Sequence, residues 1–198
     1  IKVIYNPVIN DTLFIKANRM PLHPWYKNDH LPIVIAIGRL TKQKDFPTLL
    51  EAFHEVIGKV DARLIILGEG EDRENLLQRV NDLNMDERVS LPGFVENPYA
   101  FLAHSTVFVL SSRWEGLPTV LVEAMACGIP VISTDCPSGP REILKGGKYG
   151  RLIPVGDPSA LSSAILDGLG GKIPHADSEG WQEFTVKHTV DDYLSLLF

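Results

Sequence analysis

The sequence is poor in several features, and each shortage narrows what the chain can be. It has two cysteines, Cys127 and Cys136, with no metal-ligand spacing. They read as reduced, mostly buried thiols of a cytosolic chain. No apolar run is long enough to cross a bilayer. The longest candidate, 120–132, is interrupted by Glu123, Gly128 and Pro130. No stretch has the make-up of a secretory leader. Positive charge is not in excess: 19 Lys and Arg against 25 Asp and Glu leave a net charge of −6. A broad nucleic-acid-binding face is therefore excluded, and any anion site has to be built locally from a few cations and backbone amides. There is no D-x-D carboxylate pair to hold a divalent metal. His23, His30, His54, His104, His175 and His188 share no motif, and a satisfied structural role is the expectation for His104.

What is present is regular alternation. The 198 residues suffice for one full α/β core and not for two large domains. Hydrophobic residues at 44% and charged residues at 22% are an ordinary globular balance. Short apolar runs at 32–37, 62–67, 89–91, 107–110, 129–133 and 150–154 read as strands. Helices are expected at 47–57, 71–83, 98–103, 158–169 and 189–197. The stretch 11–28 reads as an irregular, Pro-punctuated loop. Residues 1–5 look like a strand already under way at the first position, so the chain reads as a piece of a longer protein. Strands alternating with helices imply a parallel sheet with helices on both faces.

The chain is organised around SSRWEGLPTVLVEAMACGIPVIST, 111–134. An apolar strand leads in, the chain turns at Glu115-Gly116, and Pro118 is expected at the first helical position, where its missing N–H costs nothing. The helix stops at Gly128. Glu115 lies at the helix mouth. Glu123 lies within the helix among apolar neighbours, where an unpaired charge is costly. It is either a structural carboxylate capping a nearby loop or an acceptor for a ligand's hydroxyls.

In an open parallel sheet, ligands sit outside the carboxyl ends of the strands. Gly38-Arg39, Gly68-Glu69-Gly70, Gly93-Phe94, 112–115 and 134–139 all follow strand ends and so share one rim. Arg39 and Lys44 on that rim could clamp a diphosphate, Arg as a fork and Lys as a point charge, with Gly38 letting the backbone come close. The helix N-terminus after Gly116 would add amides. Gly68-Glu69-Gly70 lacks the third glycine of a dinucleotide fingerprint and is read as a tight turn. Glu115 with Glu123 as a glycosidase pair fits less well than a phosphate leaving group, which departs ionised and needs charge neutralisation more than a proton.

The set GRLTKQK, GEGEDRE, VSLPGFVEN, SSRWEGLPTVLVEAMACGIPVISTD, SGPREIL and GRLIPVGD resembles the C-terminal domain of the family 4 retaining glycosyltransferases, which have the GT-B fold. The resemblance runs from about Val3 to Leu169, and its most specific part is E-x7-E, Glu115 to Glu123. It implies a Rossmann-like donor-binding domain over 1–180 and a terminal segment, 181–198, packing toward a missing N-terminal acceptor domain through Val190, Tyr193, Leu194 and Leu197. It implies a nucleotide-diphosphate sugar as donor, a UDP-sugar being favoured, and no metal or other cofactor. Arg39 and Lys44 would bind the diphosphate and Glu115 the sugar's hydroxyls, these three being the catalytic set. Gly38, Gly116, Leu117, Pro118 and Thr119 would line sugar and phosphate, Glu123 would accept from the ribose, and Phe94 and Val95 would contact the base. Transfer would go to a glycan or lipid-linked acceptor, which leaves peripheral membrane association of the whole protein open. A silent nucleotide-sugar-binding module and half of a nucleotide-sugar epimerase are the alternatives.

Overall fold

The computed structural model describes residues 3–27 and 31–197. Ile1 and Lys2 of the expected first strand, His30 and the Leu197 side chain fall outside the described residues. The strands are β1 (Ile33–Ile37), β2 (Arg63–Leu67), β3 (Val89–Gly93), β4 (Val107–Leu110), β5 (Val131–Thr134) and β6 (Arg151–Ile153). They form one parallel sheet in the order β3-β2-β1-β4-β5-β6. This is the doubly wound Rossmann order, whose topological switch lies between β1 and β4.

The helices are α1 (Asp11–Ala17), α2 (Phe46–Ile57), α3 (Arg73–Asp82), α4 (Pro98–Ala103), α5 (Thr119–Ala126), α6 (Pro140–Ile143), α7 (Pro158–Leu169) and α8 (Val186–Leu197). Side chains alternate across each strand, so one sheet needs two cores. Val34, Ala36, Leu64, Ile66 and Val109 bury against Leu49 and Phe53 of α2 and Leu161 and Ile165 of α7. Ile33, Ile35, Ile65, Phe108 and Leu110 bury against Phe101 of α4 and Leu121 and Met125 of α5. Covering both faces is why the central strands read as unbroken apolar runs.

Three expectations need correction. The stretch 11–28 is not wholly irregular: α1 forms where the Asn10 side chain accepts from the Leu13 amide and where Leu13 and Ala17, one helical turn apart, are both buried. A single 3-10 turn follows at Pro24–Tyr26. Residues 3–5 lie in no strand; the chain start is instead tied to residues 184–185, with Val8 and Ile9 amides donating to the Phe184 carbonyl and a lone bridge between Ile9 and Thr185. Finally, Pro118 is the N-cap of α5 in an extended conformation, and Thr119 is the first helical residue.

Phe184 is fully buried in the second core, so residues 181–185 pack on this domain. Beyond them α8 begins three residues earlier than expected and leaves Val190, Tyr193 and Leu194 about half exposed. Among the described residues no helix is long and apolar enough to cross a membrane.

The strand ends are packed backbone to backbone. At Gly68, φ is +135° and an added Cβ would lie 2.0 Å from the Gly38 carbonyl oxygen, whereas a Cβ on Gly116 would meet nothing within 4 Å. Gly68→Ala is expected to lower unfolding free energy by at least about 2 kcal/mol, left-handed strain plus clash. Gly116→Ala should stay within about 0.5 kcal/mol of the parent. Urea denaturation of both variants checks the pair.

Candidate active site

The switch point sets the loop after β1 beside the loop after β4. In the first, a Cβ at Gly38 would come 2.9 Å from Lys44 Cε, so glycine is what lets the lysine stem lie across the end of β1. In the second, Glu115 turns inward. Lys44 Nζ reaches Glu115 Oε1 at 2.5 Å, with side-chain exposures of 15% and 8%. Ser112 Oγ donates to the same oxygen at 2.6 Å. Glu115 Oε2 is approached only by Gln43 Nε2, at 3.5 Å, among the described residues. Gln43 also donates to the Trp114 carbonyl at 2.9 Å. Thr134 at the end of β5 donates to the Ser112 carbonyl at 2.5 Å, which fixes the base of the turn.

Arg39, Gln43, Lys44, Glu71, Trp114 and Glu115 wall an open cavity of about 610 Å³. Arg39 is exposed there and forms no ion pair among the described residues. The cavity thus offers the free guanidinium of Arg39, the ammonium of exposed Lys42, the ammonium of Lys44 already shared with a carboxylate, and one carboxylate oxygen with spare acceptor capacity. Beside it, α5 begins without a side-chain cap, because Pro118 has no acceptor to offer. The Leu121 amide donates to the Pro118 carbonyl at 3.0 Å, which leaves the Thr119 and Val120 amides and the positive end of the dipole available to an anion. Leu117 is half-buried, and Gly116 and Thr119 are exposed at this helix mouth.

Glu123 belongs to a separate set. It is half-buried on α5, and its nearest polar partner is Tyr99 Oη at 3.5 Å. Burial pushes its carboxyl pKa upward, against a smaller lowering by the Tyr99 bond. Tyr99 is raised by burial and by the Glu123 charge. The Cys127 thiol, one turn on, is pushed to about 12 by burial and then by Glu123, so it is a packed thiol and not a nucleophile. Across the rim, Phe94 is 81% exposed after β3, and Val95 packs on the second core close to the α4–α5 layer.

Residues 31–170 match the family model described as Glycosyl transferases group 1. The chain belongs to this glycosyltransferase family. It is 45% identical over 146 residues to an uncharacterized glycosyltransferase of Methanocaldococcus jannaschii, covering 72% of this chain and 36% of that one. It is 33% identical over 204 residues to the lipopolysaccharide 1,6-galactosyltransferase of Salmonella typhimurium, covering 100% and 52%. Among solved structures, the apo form of the lipopolysaccharide outer core galactosyltransferase WaaB superposes with a TM-score of 0.79 at 26% identity, over 100% of this chain and 55% of that one. The chain therefore spans about a third to a half of the length of these relatives.

In this member of the family Arg39, Lys44 and Glu115 wall one cavity and Gly38 lies against the Lys44 stem, while Gly116, Leu117, Pro118 and Thr119 run from Glu115 into α5, Glu123 sits further along that helix, and Phe94 and Val95 follow β3. Sequence reasoning missed Gln43, Ser112 and Tyr99, the polar groups that hold the two glutamates. Gln43 sits inside the quoted GRLTKQK and Ser112 inside SSRWEG, so motif membership was the available signal. Among the described residues no group of three His, Cys, Asp or Glu side chains is placed to hold a metal ion.

The raised Glu123 pKa has a direct consequence for stability. A carboxyl whose folded pKa lies above its unfolded value contributes fully only below the ordinary carboxylate range, and that stability is lost as pH rises through the folded pKa. Glu123→Gln should therefore be more stable than the parent at pH 7 to 8, with the gap closing as pH falls to about 4. Urea midpoints across that range measure it.

Proposed function

We propose that this chain is the donor-binding half of a retaining glycosyltransferase that moves a hexosyl group from a nucleotide-diphosphate sugar, a UDP-sugar being favoured, to a glycan or lipid-linked acceptor. The observation that carries this reading is the Lys44–Glu115 pair at the switch point, with free Arg39 in the same cavity. Arg39, Lys44 and the uncapped start of α5 neutralise the diphosphate in place of a divalent metal. Lys44 has three N–H donors and uses one on Glu115, so it adds phosphate without abandoning its partner. Glu115 Oε1 is occupied by Lys44 and Ser112, which leaves Oε2 for a hydroxyl of the donor sugar.

The acceptor oxygen attacks the anomeric carbon from the face that the diphosphate leaves. The C–O bond to phosphate breaks with its electron pair on the phosphate oxygen, and that oxygen takes the acceptor's proton. Stabilising the developing negative charge is then the main task, which suits cations and helix amides. Glu123 accepts from the ribose hydroxyls, which supply the donors its half-buried carboxylate otherwise lacks. Phe94 and Val95 border the base. The half-exposed Val190, Tyr193 and Leu194 of α8 face a further, acceptor-binding domain. The name of the Salmonella relative, a lipopolysaccharide 1,6-galactosyltransferase, supports a saccharide acceptor of the cell-envelope type.

Calorimetry against UDP, GDP, ADP and their hexoses tests the reading. A hydrogen bond to a charged group is worth about 1.5–3 kcal/mol, so losing one weakens binding about ten- to a hundredfold. Arg39→Ala should lose this on every diphosphate ligand and spare the bare nucleoside. Glu123→Ala should lose it on nucleoside diphosphate and full donor alike. Glu115→Ala should weaken the sugar-bearing donor more than the bare nucleoside diphosphate, which it reaches only through the released Lys44. EDTA and Mg²⁺ should leave the affinities unchanged. Equal losses on the bare nucleoside diphosphate and on the sugar-bearing donor for Glu115→Ala, or a large gain with Mg²⁺, would overturn the assignment.

A further inference from the structure

Asp45 follows Lys44 and has no role in the site just described. Its carboxylate is 4% exposed, and its backbone is left-handed, at φ 47° and ψ 44°. Asp enters that region at a cost. It stands at the N-cap of α2 yet makes no capping bond. Its oxygens point elsewhere. Oδ2 accepts from Thr48 Oγ1 at 2.9 Å and lies 3.1 Å from Arg113 Nε as an ion pair, and Oδ1 accepts from Arg113 Nη2 at 3.3 Å.

Arg113 lies two residues before Glu115, and its backbone N–H donates to the Gln43 carbonyl at 2.8 Å. Ser111 Oγ donates to the Lys44 carbonyl at 2.7 Å. Gln43, Lys44 and Asp45 are thus each bonded to the loop that carries Glu115. Of these links the Arg113 fork is the one between charged groups: the planar guanidinium faces both oxygens of the carboxylate, with one hydrogen bond and one ion-pair contact. It also ties down a buried charge that would be costly if left unpaired.

We propose that Asp45 and Arg113 are a positioning pair. They clamp the loop after β1 to the loop after β4, and this sets Lys44 Nζ against Glu115 Oε1 in the geometry the diphosphate meets. Neither side chain touches the ligand. The part of the proposal that concerns ligand affinity rests on the donor-binding reading above; the part that concerns the Lys44–Glu115 geometry does not.

A pair that merely stabilised the fold would lower the melting point and leave Lys44 and Glu115 coupled. The test is therefore a double-mutant cycle, Lys44→Met with Glu115→Gln, read by urea unfolding in the parent and in an Arg113→Ala background. The coupling should be present in the parent and absent with Arg113→Ala. Arg113→Lys, which keeps the charge but not the fork, should recover only part of it. Asp45→Asn tolerates the left-handed backbone and keeps an acceptor for Thr48, and it carries the same cycle if Arg113→Ala does not fold. Asp45→Asn should also raise the UDP dissociation constant about tenfold, the cost of about one charge-assisted bond. Undiminished coupling in both backgrounds overturns the proposal, and so does unchanged UDP affinity in Asp45→Asn when the parent binds UDP. A parent that binds no nucleoside diphosphate overturns the donor-binding reading instead, and the cycle still decides the clamp.

Discussion

Lys44 and Glu115 are separated by 71 residues and meet because β1 and β4 are neighbours in the sheet. That adjacency is the consequence of winding the first three strands one way and the next three the other, with every strand parallel. The crossover helices can return on both faces only if the strands are apolar on both sides, which fixes the composition of β1, β2 and β4. The same winding splays the loops at the switch point and leaves a crevice there. The cavity of Arg39, Lys44 and Glu115 is thus a result of topology first and of side-chain choice second. A single substitution in the loops changes its chemistry without changing its place.

The two glutamates have opposite electrostatic settings. Glu115 has an ammonium and a hydroxyl on one oxygen. Glu123 has a long bond to a phenol and an upward-shifted pKa caused by burial. A half-buried carboxylate whose one polar partner is that long bond weakens the fold at neutral pH. Had Glu123 capped a loop, a backbone amide would be donating to it at ordinary distance, and among the described residues none does.

Much of this was legible in the sequence. The elements at Pro98–Ala103, Val107–Leu110 and Pro158–Leu169 fall where their apolar spacing and flanking residues predict. The rim rule alone gathered Gly38, Arg39, Lys44 and Glu115. What escaped has physical reasons. α1 is a seven-residue helix, too short for its Asn cap, its Asp11 and Lys16 at opposite ends and its apolar residues to outweigh the prolines that follow. Pro118 can occupy either the cap or the first turn, and nothing in its neighbours distinguishes the two. The roles of Gln43 and Asp45 depend on partners in another loop, whose register is set by the sheet rather than by either segment, and Ser112 meets Glu115 only once the turn between them has closed. The chain-end tie at Ile9 and Thr185 is likewise a pairing across almost the whole sequence.

A chain of net charge −6 cannot attract an anion by its overall field, so selectivity for a dianionic group has to come from within one Debye length of the site. The cavity holds Arg39 without a counter-charge and Lys44 with one, while Glu71 stands on its wall. Pairing Lys44 with Glu115 reduces the empty cavity's positive charge and prevents the long lysine from folding back onto nearby carbonyls. The ammonium is therefore held in place before a ligand arrives, and the entropy of ordering it is already spent at folding. Of the three cations on its wall among the described residues, Arg39 and Lys42 bring unshared charge and Lys44 brings fixed position. On the donor-binding reading proposed above, charge without position would bind any phosphate, and position beside a carboxylate would favour a phosphate that carries hydroxyls next to it.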